Sequence, residues 1–256
     1  MQKQTIRLFI IFIFTSSINI FGQGFAWQYS PRLPFKTPKL FYGINANFGL
    51  ITSKGNVTFL ENKITCPKFK NGNGTNFSVG INFEYWSKNN QTAYTGNINY
   101  LRNYINYSSL DFVPISNSIV AEYENQLALD YSAIVLSVGY KYRILETHLT
   151  IGASLDLGIN FTNNFVVKEK ILGPPEVPPF STNPPSYERN VLNGEFNKFN
   201  LINFSPRFSI GYDLQVGLGK YITPLISAEI PLTKMLSEDN VKNFAIYVGI
   251  KTNFSF

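Results

Sequence analysis

Apolar and polar side chains alternate along most of this chain, and the alternation is cleanest at its end. In "KNFAIYVGIKTNFSF", Phe244, Ile246, Val248, Ile250, Phe254 and Phe256 share one face, interrupted only by Thr252. Asn243, Ala245, Tyr247, Gly249, Lys251, Asn253 and Ser255 occupy the other. Period two is the signature of a strand with two chemically different sides. Read this way, the chain predicts eight strands, at about 40–51, 75–86, 92–104, 127–144, 148–162, 199–214, 219–230 and 242–256. The second sets Phe77, Val79, Ile81, Phe83 and Tyr85 against Ser78, Gly80, Asn82 and Glu84. The fifth sets Leu149, Ile151, Leu155, Leu157, Ile159 and Phe161 against Thr150, Gly152, Ser154, Asp156 and Asn160.

The predicted connections differ in length. Strands two, four and six end in short turns, whereas 52–74, 105–126 and 163–198 read as long loops. The last contains "GPPEVPPFSTNPP", Gly173 to Pro185, whose prolines have no N–H to give to a ladder. Short turns at one end and long loops at the other predict an all-β fold, an eight-stranded antiparallel up-and-down transmembrane β-barrel. Three places break the rhythm. Pro206 and Pro224 fall inside strands of a barrel without edges, so each is expected at a strand end or bulge. Strand four changes phase between Leu127, Leu129, Tyr131 and Ile134, Leu136, Val138, which predicts a bulge near Tyr131 to Ala133.

A soluble barrel would show the same alternation with its apolar face inward. The polar face decides against that. It is Asn45, Asn47, Gly49, Thr95, Asn97, Asn99, Ser137 and Gly139 rather than Lys and Glu, and small side chains are what a narrow interior holds. The chain is only 15% charged and 16% aromatic, as suits a surface against lipid. Tyr85, Trp86, Tyr100, Tyr104, Tyr140, Tyr142 and Phe161 lie near strand ends, where aromatic girdles belong.

At the N-terminus, Lys3 and Arg7 precede the apolar run Leu8 to Phe14 and the small residues after it, the order of a secretory signal peptide. The run is too short for a spanning helix, which needs about 20 apolar residues. Residues 1–22 are therefore expected to be removed, 23–39 to form a proline-punctuated periplasmic lead-in and 40–256 to form the barrel. Without Lys3 and Arg7, 20 Lys+Arg stand against 16 Asp+Glu, a net charge of +4. That mild excess has no basic cluster to suit nucleic acid. The single Cys66 precludes an internal disulfide.

On the predicted inward face lie Glu84, Lys141, Arg143, Asp156, Arg207, Asp213, Glu229 and Lys251, four acids and four bases. The expectation is an ion-paired plug rather than a solute path, because buried charges need partners. Catalytic and metal chemistry find little. His148 is the only histidine, and Thr150 follows at the spacing where a lipid A deacylase would carry Ser. Its predicted place in the turn 145–147 puts it at the periplasmic end, away from that substrate's leaflet. One His and one Cys fall short of a metal site, and no cofactor is expected.

The terminal strand, with its final aromatic, resembles the assembly signal of outer-membrane barrels, which implies Phe254 and Phe256 as residues read by the barrel-assembly machinery. Strand four, "LALDYSAIVLSVGYKYRI", resembles the "LDY-x-E-I-P-L-L-x-K-Y" signature of PorT-like outer-membrane barrels through Leu129, Asp130, Tyr131, Ile134, Leu136, Tyr140 and Lys141. Ala133 and Val135 stand where that family has Glu and Pro. The resemblance implies the cell outer membrane, contact with lipid and lipopolysaccharide, and a non-enzymatic, secretion-accessory role with a secretion-system or extracellular protein partner. The alternative expectation is a lipid-modifying enzyme of the deacylase type.

Overall fold

The computed structural model describes residues 39–57, 60–61, 64–65, 69–87, 91–116, 119–144, 147–195, 198–217, 219–237 and 239–255. The expected signal peptide and the expected lead-in up to residue 38, together with Cys66 and Phe256, lie outside the described residues. The strands are β1 (Leu40–Val57), β2 (Leu60–Glu61), β3 (Ile64–Thr65), β4 (Phe69–Trp86), β5 (Thr92–Ser116), β6 (Ile119–Arg143), β7 (Leu149–Gly173), β8 (Glu188–Glu195), β9 (Ile202–Tyr212), β10 (Leu214–Gly217), β11 (Lys220–Glu229) and β12 (Lys242–Ser255).

All pairings are antiparallel, and they close on themselves. The ring runs β1, β4, β5, β6, β7, β9, β11, β12 and back to β1, eight positions in all. The seam between first and last strands is continuous from Phe41↔Ser255 to Lys54↔Lys242. β8 prolongs the sixth position upward along β7, and β10 prolongs it downward along β11. β2 and β3 pair only with each other. Closure satisfies every ladder and leaves no edge within the ring.

Side-chain direction follows the alternation. Ile44, Phe48, Phe83, Tyr94, Val138, Ile210 and Val248 all point outward and are 45% exposed or more, whereas Asn45, Asn47, Ser78, Asn82, Asn99 and Ser137 are buried inside. On β1 the outward apolar run from Leu40 to Leu50 covers ten residue steps. At about 3.3 Å per step and a tilt of roughly 40°, that spans about 25 Å, the height of a lipid-facing belt. Among the described residues no helix is long and apolar enough to cross a membrane. The strands do so.

Four expectations are corrected. The segments read as long loops are largely strand, because the ladder continues above the belt: β5 and β6 stay paired up to Ser116↔Ile119, and β7 runs to Gly173. β6 also keeps one parity throughout, with Leu127, Leu129, Tyr131, Ala133, Val135 and Ser137 all inward. What changes there is the chemistry of the interior, from small polar to apolar. The irregularity sits opposite, where Ser132 pairs with Thr162 and Ala133 with Asn160, leaving Phe161 as the extra residue of a bulge in β7. Trp86 belongs to no girdle. It is buried inside with Phe41, Ala93 and Tyr221. The two prolines lie within strands, each where a ladder ends. The Pro206 carbonyl accepts from Ile230 N–H just beyond the last β9–β11 rung, Arg207↔Glu229. Pro224 falls in the gap between the β10 and β9 ladders on β11, so neither proline withholds a needed N–H.

Candidate functional site

The eight charged residues expected inside the barrel separate into two clusters and one isolated cation. Near the short-turn end, Lys141 Nζ lies 3.2 Å from Glu84 and 2.9 Å from Asp213, and Arg143 lies 2.9 Å from the second oxygen of Asp213. Thr223 donates to Asp213 at 2.7 Å. Trp86 closes this group from one side, with the Arg143 guanidinium 4.2 Å and Lys141 Nζ 5.3 Å from its ring centroid. Two acids and two bases leave the cluster neutral, which offsets the cost of removing them from water.

Higher up, Arg207 bridges two carboxylates, Asp156 at 2.8 Å and Glu229 at 2.9 Å. Its guanidinium lies 4.4 Å over the Tyr247 ring, and the Tyr247 hydroxyl donates to Glu229 at 2.7 Å. Ser205 donates to the other Glu229 oxygen at 2.7 Å. This triad lies between two small cavities. The lower, about 60 Å³, is lined by Asn45, Asn97, Asn99, Ser227, Lys251 and Arg207 among others. The upper, about 70 Å³, touches Asp156, Glu229, Tyr247, Asn76 and Asn103. Each has room for a handful of waters at roughly 10–15 Å³ apiece, and buried amide atoms of Asn45, Asn76, Asn97, Asn99 and Asn103 lack a protein partner.

Lys251 is the eighth residue, and no ion pair reaches it among the described residues. It sits in register between Asn45 of β1 and Thr223 of β11, on the wall of the lower cavity. Sequence reasoning found the charged residues because their parity puts them inside. It missed their neutral partners Tyr247, Ser205, Thr223 and Trp86, although the same parity marks Tyr247 as inward.

Above the triad the interior turns apolar. Ile51, Val57, Phe69, Ile105, Leu127, Leu129, Phe165, Met235, Leu236 and Val241 form one buried cluster across the mouth. Met235 and Leu236 reach it from the β11–β12 connection, which folds back inward and forms a bridge between Leu236 and Phe199. Beyond the mouth, β5, β6, β7 and β8 stand up as a four-stranded wall. The proline-rich connection 174–186 packs onto its inner face through Val177 and Phe180, against Ala121, Tyr123 and Ile171. Arg189 caps Phe180 at 4.3 Å and pairs with Glu169 at 2.7 Å. At the tip, Leu110, Phe112, Val113 and Ile115 are exposed.

His148 lies in the turn before β7 at the short-turn end, with its ring 5.8 Å from that of Tyr212. The Thr150 hydroxyl donates to the Gly211 carbonyl at 3.1 Å. Phe254 faces outward beside Tyr42, ring centroids 6.4 Å apart.

No protein-family model matches the chain, and no curated protein is significantly similar to it in sequence. Solved structures similar in fold include outer membrane protein AlkL, 10% identical, covering 89% of this chain and 96% of that chain at a TM-score of 0.40. Neisserial surface protein A is 12% identical, covering 84% and 97% at 0.35. Ail of Yersinia pestis is 14% identical, covering 84% and 99% at 0.32. A closed, even-stranded antiparallel barrel with a lipid-facing belt, short turns at one end and tall hairpins at the other belongs in a bacterial outer membrane.

Proposed function

We propose that this chain is a closed, non-enzymatic outer-membrane barrel whose β5–β8 wall, with the connection 174–186 docked on it, binds a protein partner outside the membrane. The observation that carries the reading is the wall itself. Binding residues favour segments held on a rigid scaffold, and here paired strands rather than slack loops lift the exposed Leu110, Phe112, Val113 and Ile115 away from the bilayer. A plugged interior gives the barrel no route for solute, which leaves the surface to act. The resemblance of β6 to the PorT-like signature favours a secretion-accessory version of the same role, with a secretion component as the partner.

Deleting residues 174–186 while keeping β7 and β8 tests this. The barrel should still assemble and show heat-modifiable gel mobility, but lose the partner recovered with the intact protein after crosslinking in cells. Unchanged recovery with the deletion would sink the reading. A change in lipid A acylation that depends on the protein and vanishes with His148→Ala would favour the lipid-modifying alternative.

A further inference from the structure

We infer that Lys54 and Lys242, with Lys70 beside them, form a binding site for a phosphate of an anionic lipid head group in the outer leaflet. The inference rests on the outer-membrane placement and adds a ligand to it. Lys54 of β1 and Lys242 of β12 are directly opposed across the barrel seam. Both stand on the outward parity of their strands, the one that carries Phe48 and Leu50 on β1 and Phe244 and Ile246 on β12. Like charges in directly opposed positions repel and weaken a sheet. Among the described residues neither ammonium has a carboxylate partner.

The strands around the pair carry no acid at this level. β1 and β12 contain no Asp or Glu, and the only acid of β4 is Glu84, which lies inside at the far end. On the other side of the β1 seam Lys54 pairs in register with Asn71, next to the exposed Lys70. Three exposed cations on the opposite wall do have carboxylate partners. Arg102 pairs with Asp130 at 2.7 Å, Lys168 with Glu188 at 3.1 Å and Arg189 with Glu169 at 2.7 Å.

Height selects the ligand. On β12, Lys242 is one outward step above Phe244, and on β1, Lys54 is two above Leu50, the last residues of the apolar belt. Lys54 Nζ leans back toward the belt, 5.8 Å from the Phe244 ring centroid. The amine therefore sits where acyl chains give way to head groups, the level at which Lys attracts anionic lipid. A phosphate between two ammonium groups would accept charge-assisted hydrogen bonds from both and cancel their repulsion.

Native mass spectrometry of the purified full barrel, released from detergent after incubation with phosphatidylcholine, phosphatidylglycerol or lipid A, tests the site. The intact protein should retain one of the two anionic lipids in preference to phosphatidylcholine. Lys54→Gln/Lys242→Gln should lower that retention by about twenty-five-fold, taking about fivefold per lysine. Lys54→Arg/Lys242→Arg should preserve it, as should Lys168→Gln, whose charge is paired elsewhere. Equal retention by the Gln double variant, equal loss with Lys168→Gln, or displacement by an equal concentration of inorganic phosphate would each overturn the lipid site. Failure of the intact protein to enter bilayers at all would instead overturn the membrane placement, and the inference with it.

Discussion

Arg207 Nε meets Asp156 Oδ2 at 2.8 Å in the middle of the barrel, and the same guanidinium holds Glu229 at 2.9 Å. The three strands involved, β7, β9 and β11, are consecutive in the ring, so this contact ties the wall together where β9 has only a short ladder to β11. Arg207→Met should leave two buried carboxylates without a counter-charge and cost about 3–5 kcal/mol. Combining it with Asp156→Asn and Glu229→Gln should recover most of that. Urea titration of the refolded barrel in lipid vesicles measures both; a single variant as stable as the parent would contradict the role given to the triad.

Lys141 and Lys251 should respond differently to the same change. Lys141→Met strips two carboxylates, Glu84 and Asp213, of a partner 3.2 Å and 2.9 Å away. A loss of about 3–5 kcal/mol is expected. Lys251 holds no ion pair among the described residues, and Lys251→Met should change stability by less than about 1 kcal/mol. Equal effects in the same titration would mean that the barrel interior does not discriminate between paired and unpaired charge.

Small side chains inside are a steric requirement. A Cβ on Gly49 would collide with Asn76 Oδ1 and lie 2.8 Å from Tyr247 Cδ1. Gly49→Val should therefore cost about 1–3 kcal/mol or more by overpacking. Phe48→Leu, one residue away and outward, should be tolerated. Heat-modifiable mobility of the two variants reads the difference directly, and a well-assembled Gly49→Val barrel would refute it.

The interior should not conduct. Passage from end to end would have to cross the Leu236 cluster at the mouth, the Arg207 triad and the Lys141 cluster in turn. Planar-bilayer recordings of the pure protein should show no large, stable conductance. A steady open channel would require one of these three barriers to be wrong.

Most of the ring was legible in the sequence, because alternation is a local property. A residue's parity decides whether it faces lipid or interior, so the outward Phe83 and the inward Asn45 could be told apart without knowledge of their neighbours. Parity does not say where a ladder stops or what lies across the barrel. The extension of β5 and β6 to Ser116 and Ile119 was missed because above the belt water, not lipid, meets the outward face, and the apolar signal fades. Leu127 and Leu129 were misread as a change of phase for a related reason. Their apolar partners Val57, Phe69, Met235 and Leu236 come from distant segments, and only closure of the barrel brings them together. The sequence alone determined which residues could be inside. Which of them pair, with Arg207 holding two carboxylates and Lys251 none, was decided by tertiary structure, because the shear of eight tilted strands sets which inward residues share a level.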